Sequence, residues 1–189
     1  MSGFRFEAYA IVSADGMLAD AHRHMPEQLH IAADQRVFTE ALDRAALVVH
    51  GAHSHEQQGA ASDRRRRVVL TRTVSRIAVH PVLPNTILWN PEHALFRDAA
   101  NAMGVAEGLV VVSGAAQVFA HFLRQRSIDA FHLTRVATVT LPGGRPVLPG
   151  VPAETPEQIL ARHGLEPAPG RVLDARAGAI LVTWAPPAH

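Results

Sequence analysis

Apolar positions along the chain fall into short runs separated by segments of helical spacing. Phe6 to Ser13 reads as a strand ending in the turn Ala14-Asp15-Gly16. From Ala32 to Ala46, residues Val37, Phe38, Ala41, Leu42 and Ala45 recur on one helix face. Leu47 to His50 is a buried strand stopped by Gly51, and the polar, Arg-rich residues 52–66 form a loop. Val68 to Thr71 and Thr86 to Trp89 are further strands. Pro91 to Met103 is predicted to be a helix with proline in its first turn. Leu109 to Val112 is a central strand running into Ser113-Gly114, then a helix over Ala115 to Gln125. A strand at Ile128 to Val136, a turn-rich stretch at 142–152, a short helix at 156–163 and strands near 171–174 and 178–184 complete the chain.

Strands that are apolar throughout and separated by helices belong to a mostly parallel sheet covered on both faces. The class is therefore α/β, with an antiparallel hairpin of the two last strands at one edge. In such sheets ligands bind beyond the carboxyl ends of the strands, here after Ser13, His50, Thr71 and Ser113. The 189 residues suit one domain over 1–189 better than two.

Composition narrows the chemistry. Hydrophobic residues make up 48% and charged residues 19%, which excludes a disordered chain. A net charge of +1 sets up no field directed at nucleic acid or an anionic membrane. No apolar run is long enough to span a bilayer, and MSGFRFEAYA lacks the pattern of a signal peptide, so the expected location is cytoplasmic. Without cysteine there is no thiolate chemistry, and all 18 basic residues are Arg, which removes Schiff-base lysine and the Walker phosphate loop.

The strongest local signal is Val110 to Phe119, where a buried strand stops at small residues and turns into a helix. Exposed N–H groups and the helix dipole favour a phosphate there; a plain tight turn without ligand is the other reading. Asp34 and Phe38 share a helix face, so a carboxylate beside an aromatic ring can hydrogen-bond or protonate a nitrogen heterocycle. The competing account is a first-turn Asp favoured by the dipole, with Phe38 in the core. His22 and His24, and His50, His53 and His55, have spacings compatible with metal, but HExxH is absent and both sets sit in expected loops; no metal is expected. Arg64 to Arg67 lacks interleaved aromatics and suits a solvated loop or a single phosphate rather than nucleic acid. No GxSxG elbow occurs, and Gly143-Gly144 belongs to a proline-rich turn.

Taken together, the segments over about residues 5–150 resemble the dihydrofolate reductase superfamily, including the reductase domain of the bifunctional riboflavin-biosynthesis deaminase-reductase. Ala10 to Ala19 resembles the first strand and its S-x-DG-x-L-A loop, and Asp34 to Phe38 the helix with an acid four residues before Phe. Val49 to Glu56 is similar to the G-R-x-T-x-E turn, and Arg67 to Arg72 to the N-x-V-L-S/T-R strand. Ser113 to Leu123 is similar to GGGxxYxxFL, and Phe131 to Val136 to L-x-L-T-x-I. The resemblance implies a three-layer α/β/α fold and NADPH as hydride donor. Gly114, Ala115, Ala116, Gln117, Val118 and Phe119 would cradle the pyrophosphate. Ala10, Ile11 and Leu18 would line the nicotinamide pocket. Gly51, His53 and Ser54 would meet phosphates, Thr71 and Arg72 the adenosine 2′-phosphate, and Asp34, Phe38 and Thr134 the substrate ring. Asp34 would be the catalytic group.

The chain departs from the family pattern at identifiable places. Ala52 replaces the Arg after the first glycine, leaving Arg72 or Arg64–Arg67 to supply a cation. Gly114-Ala115 replaces Gly-Gly, and Leu29-His30 occupy the region of the Trp expected before the acid. The riboflavin-type D-D-P-x-L-x-x-R segment is also missing. The expected function is NADPH-dependent reduction of a small pterin- or aminopyrimidine-like heterocycle. Asp15-Gly16 favours the riboflavin-type substrate, 5-amino-6-(5-phosphoribosylamino)uracil, over dihydrofolate. The alternative is a catalytically silent nucleotide-binding or interaction protein. Ala179 to Trp184 either joins a homodimer interface or packs within the monomer.

Overall fold

The structure, a computed structural model, describes residues 3–52, 64–114 and 116–188. Twelve strands are assigned among them: β1 Phe4–Ser13, β2 Met17–Ala19, β3 Leu47–Gly51, β4 Arg67–Leu70, β5 Ile77–Val79, β6 Thr86–Trp89, β7 Gly108–Val112, β8 Ala130–Val136, β9 Arg145–Pro146, β10 Glu166–Pro167, β11 Arg171–Asp174 and β12 Ala179–Ala185. The helices are α1 Ala32–Arg44, α2 Phe96–Ala102, α3 Ala116–Arg124 and α4 Pro156–Arg162.

Ten strands form one sheet in the order β10-β12-β8-β1-β7-β3-β4-β6-β5, with β11 paired to β12; β2 and β9 form a separate pair. The run β8-β1-β7-β3-β4-β6 is parallel throughout. Antiparallel strands sit at both ends: β5 on β6, and the β11-β12 hairpin on β8.

Period-two alternation sorts the side chains between two layers. Phe4, Phe6, Ala8 and Val12 of β1, Leu47 and Val49 of β3, and Val110 and Val112 of β7 enter the larger core with residues of α2, α3 and α4. Tyr9 of β1, Val48 of β3 and Val111 of β7 face α1, against Phe38, Ala41 and Leu42. The sheet is thus covered on both faces, and α1 is the helix packed on the face that carries Asp34.

The sequence places the long helices and central strands correctly to within a few residues. The helix expected from Pro91 begins only at Phe96. The Asn90 carbonyl accepts from His93 and Ala94, and its side-chain oxygen from Glu92, so Pro91 lies in a turn. The helix then restarts where the Asp98 carboxylate accepts the Leu95 N–H at 3.3 Å. The strand expected at Val68–Thr71 is shifted to Arg67–Leu70. Most of the expected loop 52–66 lies outside the described residues. In β12, Ala179, Leu181 and Trp184 are buried within this chain, whereas Ile180 and its partner Val172 are exposed.

Candidate functional site

Six parallel strands present their carboxyl ends on one side, and β1, β7 and β3 are in step there. Ala8 pairs with Val112, and Val49 with Val112. Two residues further on stand Ala10 of β1, Gly51 at the end of β3, and Gly114 in the turn that follows β7.

On the α1 face, β8 sets Thr134 opposite Ile11. Helix α1 begins after Ile31, which is buried with Leu29 against Val136 and Ala179. That anchorage holds the first turn of α1 over β8. The Thr134 hydroxyl, fully buried, donates to Asp34 Oδ1 at 2.5 Å. Burial pushes the Asp34 carboxyl above its ordinary value, and the Thr134 hydrogen bond offsets part of the rise. Phe38, one turn on, lies with its ring 5.8 Å from that of Tyr9.

Beside this pair lies a polar network that the sequence reading missed. Glu7 Oε2 accepts from the Tyr9 hydroxyl at 2.6 Å and lies 3.3 Å from His132 Nε2. Arg5 Nε is 2.8 Å from Glu7 Oε1, and His132 Nδ1 is 3.0 Å from the Thr183 hydroxyl. The Tyr9 and His132 rings stack at 4.4 Å. The His132 hydrogen bond, aided by Tyr9 and Arg5 and opposed by burial, holds Glu7 down to about 2. Burial, with the bond to Glu7, pushes the Tyr9 phenol up, so it remains a donor. The available signal was Glu7, a charge at an inward position of an apolar strand.

The two glycine turns approach one another. A Cβ on Gly51 would sit 3.3 Å from Val118 Cγ2 of α3. Gly114 has φ +114°, a conformation that favours glycine, and α3 starts two residues later. Val118 and Phe119 are buried in the core, whereas Ala116 is half-buried and Gln117 exposed. His53, Ser54 and Ala115 lie outside the described residues. A glycine turn before a helix N-terminus favours an anion through its N–H groups and the helix dipole.

The loop after β1 is stitched to the opposite side of the site. Ser13 Oγ donates to Asp15 and accepts from the Met17 N–H at 3.0 Å, and the Asp15 carboxylate accepts the Leu141 N–H. Arg135 bonds the Ala14 carbonyl and chelates Glu157 of α4. Leu18, on β2, packs against the larger core. Thr71 and Arg72 stand apart from Asp34, beyond β4. Thr71 is buried, its hydroxyl 3.0 Å from that of Thr73.

Of the two histidine sets, His53 and His55 lie outside the described residues. His22 and His24 are exposed and give their backbone N–H groups to Asp20, whereas His50 is buried with its ring on the Gly51 carbonyl. Among the described residues, no group of three His, Asp or Glu side chains is arranged to hold a metal. No helix among them is long and apolar enough to cross a membrane.

This architecture is the dihydrofolate reductase-like fold, a three-layer α/β/α arrangement around a mostly parallel sheet. No family model matches the chain, nor does any curated protein sequence. Solved structures do match. A Shewanella sp. PV-4 protein ascribed to riboflavin biosynthesis superposes with TM-score 0.63 at 18% identity, covering 96% of this chain and 98% of that one. Dihydrofolate reductase from Enterococcus faecalis, complexed with NADP(H) and RAB-propyl, gives TM-score 0.63 at 15% identity, covering 98% of this chain and 97% of that one. The Thermotoga maritima diaminohydroxyphosphoribosylaminopyrimidine deaminase/5-amino-6-(5-phosphoribosylamino)uracil reductase gives 0.60 at 17%, covering 96% of this chain and 56% of that one. Likeness at this identity establishes the fold.

Proposed function

We propose that this chain is a reductase that uses NADPH to reduce a carbon–nitrogen double bond in a pterin- or aminopyrimidine-like heterocycle. The observation that carries the reading is the half-buried Asp34 carboxyl bonded to the buried Thr134 hydroxyl, a carboxyl with raised proton affinity at the carboxyl end of a parallel sheet. The structural neighbours, reductases among them, support it.

Gly51, Gly114, Ala116 and Gln117 would hold the pyrophosphate, with Ala10, Ile11 and Leu18 around the nicotinamide. His53, Ser54 and Ala115 belong to the same proposed set. From β1 to β4 is three strand spacings, roughly 14 Å, a span that an extended dinucleotide bridges. Bound NADPH would supply the hydride. The chain does the rest. Thr134 occupies Asp34 Oδ1 and leaves Oδ2 to face a ring nitrogen. Burial keeps a larger fraction of Asp34 protonated than in water, so the carboxyl can hydrogen-bond the heterocycle and deliver a proton. Phe38 offers a ring face beside it, fixed by Tyr9.

Asp34→Asn tests the role. The variant should bind NADPH as the parent does and lose turnover by ~10²-fold or more; full activity would eliminate Asp34 as the proton-handling group. In the parent enzyme, kcat/KM should fall as pH rises through the raised Asp34 pKa. Ala52, exposed and without a cation at the first phosphate turn, favours a second reading as a nucleotide-binding protein without catalysis. Stereospecific hydride transfer to any heterocycle would remove it.

A further inference from the structure

The segment that leaves β4 and the segment that leaves β6 are bound to each other by Asn90. Its side-chain amide donates to the Val74 carbonyl at 2.9 Å, and its side-chain oxygen accepts the Glu92 N–H at 3.1 Å. Its backbone N–H donates to the Arg76 carbonyl at 2.8 Å. Asn90 itself is buried. Residues 72–76 and 90–92 therefore form one braced surface rather than two independent loops.

Arg72 and Glu92 are carried on that surface. Arg72 Nη1 lies 4.0 Å from Glu92 Oε1, and the side chains are 78% and 59% exposed. An exposed pair at this distance adds little to stability, so its significance lies in what it presents to solvent. The neighbouring cation Arg76 has its own partner, Asp98, at 3.7 Å. Ala52, at the first phosphate turn, brings no charge.

We infer that Glu92 sets the discrimination between dinucleotides with and without a 2′-phosphate, by holding Arg72 and by opposing the phosphate's charge. The inference rests on the dinucleotide reading above, which brings the adenosine end to Thr71 and Arg72. A 2′-phosphate carries close to two negative charges, and a phosphate seated on Arg72 stands within a few ångströms of the Glu92 carboxylate. A 2′-hydroxyl carries no charge and can donate to a carboxylate, as acidic residues do toward ribose in dinucleotide folds. Glu92 thus weakens NADP⁺ and is neutral or favourable toward NAD⁺. Arg72 acts in the opposite sense.

The experiment is calorimetric titration of the full chain and of Glu92→Gln and Arg72→Ala with NADP⁺ and with NAD⁺. Glu92→Gln should tighten NADP⁺ by about three- to tenfold at low ionic strength, the scale of one exposed charge at close range, with NAD⁺ unchanged or weaker. Arg72→Ala should weaken NADP⁺ alone. The gain in Glu92→Gln should shrink as salt is raised. If both dinucleotides bind and their affinity ratio is the same in parent and Glu92→Gln, the inference is wrong while the dinucleotide reading stands. A parallel change in both affinities would refute it equally. If neither dinucleotide binds the parent at millimolar concentration, the reading beneath it fails, and the inference with it.

Discussion

Replacing Glu7 by Gln removes a buried charge whose consequence can be calculated. The Glu7 carboxylate takes the Tyr9 hydroxyl, His132 Nε2 and Arg5 Nε, and it titrates at about 2 rather than 4.5. A group whose folded pKa is depressed contributes stability that is present above its unfolded pKa and is lost as pH falls through the folded value. The difference of about 2.5 units corresponds to ~3 kcal/mol at neutral pH. By pH 3 the unfolded chain has taken up the proton and the folded chain has not, so about 2 kcal/mol of that is already gone. Urea unfolding at pH 6 and pH 3 measures it. The parent should lose about 2 kcal/mol more than Glu7→Gln over this interval, roughly a 1 M difference in midpoint shift. The comparison cancels the other carboxylates, including Asp34, whose raised pKa acts in the opposite direction. Equal pH dependence in the two proteins would show that the network does not hold Glu7 ionised. Its role in backing Phe38 through Tyr9 would then be lost as well.

Two further outcomes test the larger core. Phe122 is buried among Phe6, Trp89 and Phe96, with ring centroids 5.3 to 6.2 Å away. Phe122→Ala should cost ~3–5 kcal/mol, seen as a drop of roughly 10 °C or more in Tm, whereas Val79→Ala at the exposed edge strand should change it little. His121 Nε2 is buried without a hydrogen-bond partner among the described residues, beside Trp89 and Phe122, and burial with nearby Arg124 pushes its pKa down. The unfolded chain therefore binds the proton first, and stability falls as pH drops below about 6.5. His121→Leu should flatten that part of the pH–stability curve in chemical unfolding, and an unchanged slope would assign it to another group.

How much was legible in the sequence differs between elements. Apolar β1, β3 and β7 and the helical spacing of α1 and α3 report burial directly, because a strand covered on both faces has no polar side to show. Those patterns fixed the α/β class, the hairpin at the edge and the segments that follow the strands. The Asp34–Phe38 spacing was visible too, but Thr134 is 100 residues away along the chain. Only the pairing of β8 with β1 and the anchorage of Ile31 bring its hydroxyl to the carboxylate. Of the Glu7–Tyr9–His132–Thr183 network the sequence showed only a charge, Glu7, in an apolar strand, and not its partners, for the same reason. Its members lie on β1, β8 and β12, and a side-chain hydrogen bond across strands leaves no period in a single sequence. Helix α2 shows the converse. Proline at position 91 reads as a first-turn residue, yet Asn90 competes for the local backbone bonds and delays the helix to Phe96. Local pattern determines which faces are buried. Sheet register decides which polar groups meet inside them, because it alone sets the distances between residues far apart in sequence.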